Sequence, residues 1–224
     1  MKILFLNVYK GAQEDMLKDF LIKKLDNTDM FCLQETEGQF EGMVDIFHEK
    51  IIFEMTKPTE SKWNFSIKTM INKKYLTKEV VRLWPEENKI GLGLVTKAEN
   101  LMVGNMHGVA FNPDDKLDTP ERLRQSREMI ECLGETGQRI VGGDFNIDIN
   151  TESVRLFEEA GYRNLIKEYE IETTRNRLAW ERYPDHIQKY ADFVFVSPEV
   201  KVKSFEVLDI EVSDHLPMVL EIEG

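Results

Sequence analysis

Residues 212–224 read VSDHLPMVLEIEG, and this stretch places two titratable side chains, Asp214 and His215, directly before an apolar run. The run from Met218 to Ile222 has the residue pattern of a strand. A strand in an apolar sheet has no structural need for such a pair, because an unpaired buried charge costs several kcal/mol. We therefore expect Asp214 and His215 to have a chemical role at the edge of a sheet.

Several other short apolar runs also end in polar residues of a restricted kind. Taken singly, each polar residue could equally be a turn residue, a solvated strand end or a hydrogen-bonded histidine. Their joint occurrence at six strand ends favours one convergent site. The runs are ILFLNV with Asn7, DMFCLQETEG with Gln34 and Glu35, LMVGNMHG with Asn105 and His107, RIVGGDFNID with Asp144 and Asn146, YADFVFVSP with Asp192, and FEVLDIEVSDHLP with Ser213, Asp214 and His215.

The chemistry of these side chains predicts the metal. Carboxylate and amide oxygens suit Mg²⁺ or Mn²⁺, whereas zinc would favour more His and Cys. In GGDFN, two glycines allow a sharp backbone bend that brings Asp144 and Asn146 to one point. The pattern therefore predicts a metal-assisted phosphoester site with Mg²⁺ or Mn²⁺ as cofactor.

Between the strands, apolar residues at helical spacing predict helices over Met16–Leu25 and Leu123–Leu133. A shorter helix is expected over Glu152–Ala160, ended by Gly161. Strands alternate with helices in the first part and are joined by turns near the end, which predicts mixed sheets with helices outside. We find no linker, and we expect a single domain over residues 1–224.

Net charge restricts the function. The chain carries 29 basic and 41 acidic side chains, a net charge of −12, which disfavours sequence-independent binding of a polyanion. It is compatible with a hydrolase, because a bound divalent cation reverses the local charge. The start of the chain lacks a signal-peptide cleavage site, no apolar run reaches about 20 residues, and Cys32 and Cys132 are far apart. We expect a cytoplasmic protein with reduced thiols and no membrane association.

The order of the motifs resembles that of the endonuclease/exonuclease/phosphatase superfamily, to which deoxyribonuclease I and the abasic-site endonucleases belong. The resemblance rests on Asn7, LQE, Asn-x-His, GDFN, Asp before FVFVS, and SDHLP, and it covers essentially the whole chain. It implies an α/β (α+β) fold: a four-layer sandwich of two packed mixed β-sheets flanked by helices, with the active site at one edge. Arg122 and Gln125 resemble the family's structural Arg-x-x-Gln helix.

The resemblance also implies roles for single residues. Glu35 resembles the principal metal ligand, supported by Asn7 and Asp214, and Asp144 resembles the residue that orients or deprotonates the attacking water. The metal ligands implied are Asn7, Glu35, Asp144, Asn146 and Asp214. The catalytic residues implied are His107 as candidate general acid, Asp144, Asn146 as phosphate ligand, Asp192 as partner of His215, and His215 as phosphate ligand.

Departures from the family bear on the substrate. Glu37 stands where the abasic-site enzymes usually have Lys, and the Trp-containing blocks of the inositol phosphatases are absent. No convincing acidic partner for His107 is found between Ile51 and Lys89, and we interpret His48 and His186 as surface residues.

The stretch TTRNRLAWERYP alternates cations with aromatics, which could bind phosphates and stack a base. We predict substrate binding by Arg175, Arg177 and Trp180, although a solvated loop packed on the body is an equal alternative.

The sequence thus predicts a Mg²⁺- or Mn²⁺-dependent phosphodiesterase or nuclease that acts on nucleic acid or a nucleotide by in-line attack of water. We expect a monomer. Two alternatives remain open: a phosphomonoesterase of a small phosphorylated metabolite, and a catalytically silent binding member of the family. Against the silent member stands the physical cost of keeping several mutually repelling carboxylates without a cation.

Overall fold

A computed structural model describes residues 1–58, 64–85, 91–110, 116–185 and 187–223. Within these residues the strands are β1 (Lys2–Asn7), β2 (Met30–Gln34), β3 (Lys50–Lys57), β4 (Phe65–Asn72), β5 (Thr77–Leu83), β6 (Leu92–Ala98), β7 (Leu101–His107), β8 (Gln138–Asp144), β9 (Arg163–Asn164), β10 (Asp192–Val196), β11 (Val202–Val207) and β12 (Met218–Ile222). The α-helices are α1 (Glu14–Leu25), α2 (Pro120–Leu133), α3 (Glu152–Glu159), α4 (Leu165–Glu168) and α5 (Arg177–Arg182), and 3₁₀ segments cover Tyr9–Gly11 and Gly38–Phe47.

The described strands form two mixed sheets. The first has the order β11-β12-β1-β2-β4-β3, and the second has the order β5-β6-β7-β8-β10-β9. Each contains one parallel pair joined through a helix, β1–α1–β2 in the first sheet and β7–α2–β8 in the second. The other neighbouring strands run antiparallel, in keeping with the mixed pattern predicted from the connections.

Alternate residues of β1 show how the layers stack. Ile3 and Phe5 are fully buried in the core shared with the second sheet, whereas Leu4 and Leu6 belong to a separate cluster with Leu17 of α1. Side chains of a strand alternate between its two faces, so a continuous apolar run buries both faces at once. With α2 packed against β6 and β7 on the outside of the second sheet, this confirms the predicted four-layer sandwich.

The two positions occupied by glycine in GGDFN exclude a side chain for different steric reasons. A Cβ at Gly142 would lie 2.7 Å from the ring of Phe5, so glycine lets the two sheets approach at this point. Gly143 has φ 132°, and a Cβ there would lie 2.2 Å from the carbonyl oxygen of Met106. Glycine adopts this backbone without the penalty that a side chain would impose. The end of β8 can therefore bend into the site that follows it.

The predicted helices occur as α1, α2 and α3, but the buried face of α2 differs from the predicted one. Of the predicted face, Ser126 and Leu133 are buried and Leu123 and Ile130 are only partly buried. The other buried residues of the helix are Arg122, Gln125 and Met129. Arg122 donates to the carbonyl of Val109, and Gln125 accepts from the Val109 amide, so both side chains anchor the loop after β7. No helix in the described part of the chain is long and apolar enough to cross a membrane.

Candidate active site

Strand register brings the polar strand ends together at one edge of the sandwich. In the parallel pair β7–β8, His107 lies opposite Asp144, and in the antiparallel pair β8–β10, Asp144 lies opposite Asp192. Asn7 ends β1, and Ser213 ties its own loop to that end by donating to the Asn7 carbonyl at 2.7 Å. Backbone pairing therefore gathers His107 and Asp192 of the second sheet around Asp144, and packing of the two sheets brings Asn7 of β1 to the same edge.

Asp144 is the centre of this cluster. Its Oδ2 accepts from Asn7 Nδ2 at 2.9 Å and lies 3.8 Å from His107 Nε2 and 3.7 Å from His215 Nε2. The other oxygen, Oδ1, accepts from the Asn146 amide at 2.9 Å. One carboxylate thus faces two imidazole nitrogens at once.

The charges around Asp144 keep it ionised. Burial by itself raises the pKa of this carboxyl, but His215, Lys116, His107 and Arg175 lower it, and together they bring the pKa well below its ordinary value. Opposite charges nearby favour the charged form of an acid. Asp144 is therefore available as a carboxylate to orient or deprotonate a water molecule over the whole neutral pH range.

Glu35 lies on the Asn7 side of the cluster. Its Oε1 accepts from Asn7 Nδ2 at 3.1 Å and lies 3.9 Å from His107 Nε2. Glu35, His107 and Asp144 each offer one ligand atom within 4.8 Å of the others. Glu35 also has φ 51°, a strained backbone for a side chain of this kind. Asn7 turns its amide nitrogen to both carboxylates, while its oxygen accepts from the Tyr9 amide.

His107 is buried, and its Nδ1 has no hydrogen-bond partner among the residues that the structure describes. The nearest described acids, Glu35 and Asp144, lie on the Nε2 side of the ring. Of the range Ile51–Lys89 in which an acidic partner was sought, residues 59–63 and 86–89 lie outside the described residues, as does His186. His48 is exposed, as predicted.

His215 forms a buried pair with Asp192, whose two carboxylate oxygens both lie 2.9 Å from Nδ1. On the opposite side of the ring, Arg175 Nη1 donates to Nε2 at 2.6 Å, and Nη2 donates to Asp214 Oδ2 at 2.8 Å. Burial and Arg175 lower the His215 pKa, but the carboxylates of Asp192, Asp144 and Asp214 raise it above its ordinary value. The Arg175 contact requires an unprotonated Nε2, so the imidazole in this arrangement carries its proton on Nδ1.

Lys116 is a site residue that the sequence alone did not single out. Its Nζ donates to Asn146 Oδ1. Burial lowers the Lys116 pKa to about 8 even though the Asp144 charge acts in the opposite direction. Its carbonyl accepts from the Asp148 amide at 2.8 Å, and the nearby Asp118 caps α3 by accepting from Ser153, so the segment is held in place. The lysine follows Asn-x-His by nine residues in an irregular loop, where no periodic pattern could mark it.

Three other polar residues of the motifs have structural contacts. Gln34 Nε2 donates to Asn105 Oδ1 at 2.6 Å, and Asn105 Nδ2 donates to the Lys68 carbonyl at 3.0 Å, which ties the two sheets together. Glu37 accepts from the Ser66 amide at 2.9 Å, and burial, with a smaller effect of Glu35, raises its pKa to about 7. These three side chains therefore stabilise the structure next to the cluster.

The three residues expected to bind substrate lie in different surroundings. Arg175 is buried in the cluster, where its backbone bridges to His215. Arg177 is exposed and forms ion pairs with Glu211 at 2.8 Å and Glu181 at 2.6 Å. Trp180 Nε1 donates to the Gln188 carbonyl at 2.9 Å, so this side chain packs on its own loop.

Arg182, farther along the same helix, lies against the ring of Tyr9. Its Cζ is 4.6 Å from the Tyr9 ring centroid and 5.2 Å from that of Tyr183. Burial raises the Tyr9 pKa, Arg182 opposes this, and the carboxylates of Asp214 and Glu35 act in the same direction as burial. The Tyr9 phenol is thus within electrostatic reach of the cluster and of Arg182.

Comparisons with known proteins agree with this arrangement. The model of the Endonuclease/Exonuclease/phosphatase family matches residues 4–215. No curated protein sequence matches the chain.

Solved structures are similar over almost their whole length. They include a humanized D. rerio TDP2 with 14 mutations (TM-score 0.76, 16% identity, 100% of this chain and 99% of that chain) and a Leptotrichia buccalis endonuclease/exonuclease/phosphatase family protein (0.75, 16%, 100% of both). A third is the Bacteroides thetaiotaomicron mannosyl-6-phosphatase Bt3783 (0.73, 18%, 100% of both). At these identities the structures show a shared fold.

Proposed function

The chain belongs to the endonuclease/exonuclease/phosphatase family, and on this premise we propose that it is a divalent-metal-dependent phosphodiesterase that hydrolyses nucleic acid or nucleotides. The activities that name the family all cleave phosphoester bonds. The observation that carries the proposal is the cluster around Asp144, in which one ionised carboxylate faces two imidazole nitrogens and has Glu35 beside it. Such a cluster supplies the groups that an in-line displacement by water needs.

The donor set fits a hard divalent cation. Glu35 has Asn7 as its hydrogen-bond partner, so its negative charge is little compensated, and carboxylate and amide oxygens are what Mg²⁺ and Mn²⁺ prefer. Glu35 and Asp214 would hold the ion, with Asp144 and Asn146 in the predicted ligand set. Asn7 directs its amide nitrogen at Glu35 and Asp144 while its oxygen accepts from Tyr9, so it would join the ligands only with its side-chain amide reversed. A bound cation would neutralise phosphate charge and stabilise the departing oxygen.

The protein's own residues have the remaining catalytic roles. The depressed pKa keeps Asp144 ionised, so its carboxylate can orient the attacking water by accepting a hydrogen bond from it. Arg175 Nη1, which donates to His215 Nε2 in this structure, would turn to the phosphate and free that nitrogen to contact the phosphate as well, while Asp192 holds the imidazole in place through Nδ1. His107 donates a proton to the leaving oxygen, which is compatible with its position on the other side of Asp144.

The test is hydrolysis of a substrate panel with Mg²⁺ and with Mn²⁺: single- and double-stranded DNA, RNA, bis-p-nitrophenyl phosphate and p-nitrophenyl phosphate. We expect cleavage of the diesters, and a loss of at least about 10³-fold in Asp144→Asn. Asp19→Asn is the matched control, because Asp19 is an exposed aspartate on α1. Diester cleavage that persists in Asp144→Asn would contradict the proposed role.

A phosphomonoesterase is the second candidate. Lys116 and Arg175 place two cations around Asp144, and a phosphomonoester carries one more negative charge than a diester at neutral pH. Release of product only from p-nitrophenyl phosphate would favour this alternative. In either case, Glu35→Gln should remove the rise in melting temperature that Mg²⁺ produces in the unaltered protein.

A further inference from the structure

We propose that Arg182, held on the ring of Tyr9, binds the phosphate next to the scissile one, so that the enzyme prefers a nucleic acid strand over a small phosphodiester. This inference rests on the proposed function and names the substrate class of the same site. The juxtaposition comes from opposite ends of the chain, Tyr9 after β1 and Arg182 at the end of α5.

The guanidinium of Arg182 is oriented but has its donors available. The side chain is exposed, and the rings of Tyr9 and Tyr183 are its contacts within the described ranges, where it forms no hydrogen bond or ion pair. A cation over an aromatic face is held by electrostatic attraction to the ring. Its planar set of N–H donors matches the oxygens of a phosphate.

Arg177 of the same helix does not have its guanidinium donors available in this way. Its guanidinium is engaged by Glu211 and Glu181, which compensate its charge. The two arginines are both exposed and lie on one short helix, yet only Arg182 is directed to the neighbourhood of the cluster by its ring contact. The contrast identifies Arg182 as the substrate-facing cation of this helix.

The backbone at Tyr9 is held in a strained conformation beside the site. Tyr9 has φ 45° and Lys10 has φ 58°, which are unusual values for residues with side chains. Hydrogen bonds from the Tyr9 amide to Asn7 Oδ1 and from the Lys10 amide to the Glu35 carbonyl, each 2.9 Å long, maintain this turn. Strain of this kind persists where surrounding contacts enforce it and is concentrated at functional sites.

A groove beside Tyr9 offers space for a neighbouring nucleotide. The groove has a volume of about 430 Å³ and is lined by Tyr9, Lys10, Ala12, Gly38 and Gln39. This volume is within the range of about 300–1,000 Å³ that is typical of ligand pockets. A strand whose scissile phosphate lies at Asp144 can therefore place the adjoining nucleotide along Tyr9, with the next phosphate at Arg182.

The test compares Arg182→Gln with Arg127→Gln as its control, at an exposed arginine of α2 paired with Glu152, on two substrates: a short single-stranded oligonucleotide and bis-p-nitrophenyl phosphate. We expect Arg182→Gln to raise KM for the oligonucleotide by about tenfold, the loss typical of one charge-assisted hydrogen bond. Its kcat/KM on bis-p-nitrophenyl phosphate should be unchanged, because that substrate has no adjoining phosphate for Arg182 to bind. Arg127→Gln should behave as the unaltered protein on both.

Salt dependence provides an independent measurement. In the Asp144→Asn background, where the oligonucleotide is not cut, Arg182→Gln should reduce the slope of log K against log salt by about 0.7, as expected for one lost phosphate contact on a single strand. Equal KM values and equal slopes for Arg182→Gln and Arg127→Gln would overturn the inference. If the unaltered protein cleaves bis-p-nitrophenyl phosphate and Asp144→Asn does not, the proposed hydrolase stands even when the inference about Arg182 fails. If Asp144→Asn cleaves it equally well, the proposed hydrolase itself is contradicted.

Discussion

The ion pair between Arg175 and Asp214 allows a sharp prediction about stability and metal binding. Arg175→Met removes a cation whose side chain, like that of Asp214, is almost completely buried, and whose Nη2 lies 2.8 Å from the carboxylate. Removal of one partner of a buried pair leaves an uncompensated charge and costs about 3–5 kcal/mol. For a chain of this size, 1 kcal/mol corresponds to roughly 2–4 °C, so we expect the melting temperature to fall by about 6–20 °C.

A divalent cation should recover part of this loss. Without Arg175, the Asp214 carboxylate is available to a cation, so Mg²⁺ should raise the melting temperature of Arg175→Met more than that of the unaltered protein. The assay is thermal unfolding with Mg²⁺ and with EDTA, and Arg177→Met is the control, because Arg177 makes exposed ion pairs. Equal Mg²⁺ shifts in Arg175→Met and the unaltered protein would refute competition between Arg175 and the metal for Asp214.

Three further predictions concern the supports of the site. Lys116→Met should lower kcat by about 10²-fold, as for removal of one donor at an active site, and Lys18→Met on α1 is the control. Gly142→Ala should destabilise the fold by about 1–3 kcal/mol in chemical denaturation, because its Cβ would meet the ring of Phe5; unchanged stability would contradict the close sheet approach. Asp118→Ala should cost about 1–2 kcal/mol through loss of the hydrogen bonds that the carboxylate accepts from the first amides of α3, although the N-cap residue Thr151 remains. Burial raises the Asp118 pKa, but hydrogen bonds from Ser153 and the helix amides lower the pKa below its ordinary value. The stabilisation is therefore present above about pH 4 and is lost as the pH falls further. Asp118→Ala should not show this loss of stability in an acid titration.

Local patterns were sufficient for the fold and for much of the candidate site. Alternation within strands, helical spacing and the kind of residue at each strand end depend on the backbone period, which is readable from sequence. The family resemblance was confirmed by the match over residues 4–215. The roles given to Glu35, Asp144 and His215 remain predictions, although the structure brings the three side chains into one cluster.

Other residues could not be assigned from local patterns. Asn105 and Gln34 occupy strand ends like the other polar residues, yet they bond each other between the sheets. On α2, Arg122 and Gln125 are buried because they satisfy the backbone of Val109, so polar side chains occupy a face that a hydrophobic pattern assigns to the surface. Burial of polar groups depends on partners that are distant in sequence.

The sequence by itself therefore determined the mixed strands with helices outside, the order of the strand ends and the oxygen-rich chemistry of those ends, because backbone periodicity and side-chain chemistry are local properties; the four layers of the sandwich were implied by the family resemblance. Only the tertiary structure decided which cations serve that edge. It buried Arg175 against Asp214 and His215, paired Arg177 with surface acids, brought Lys116 to Asn146 and placed Arg182 on Tyr9. The charge and reach of an arginine or lysine are the same in every loop, and the carboxylate or ring that it meets is set by long-range packing.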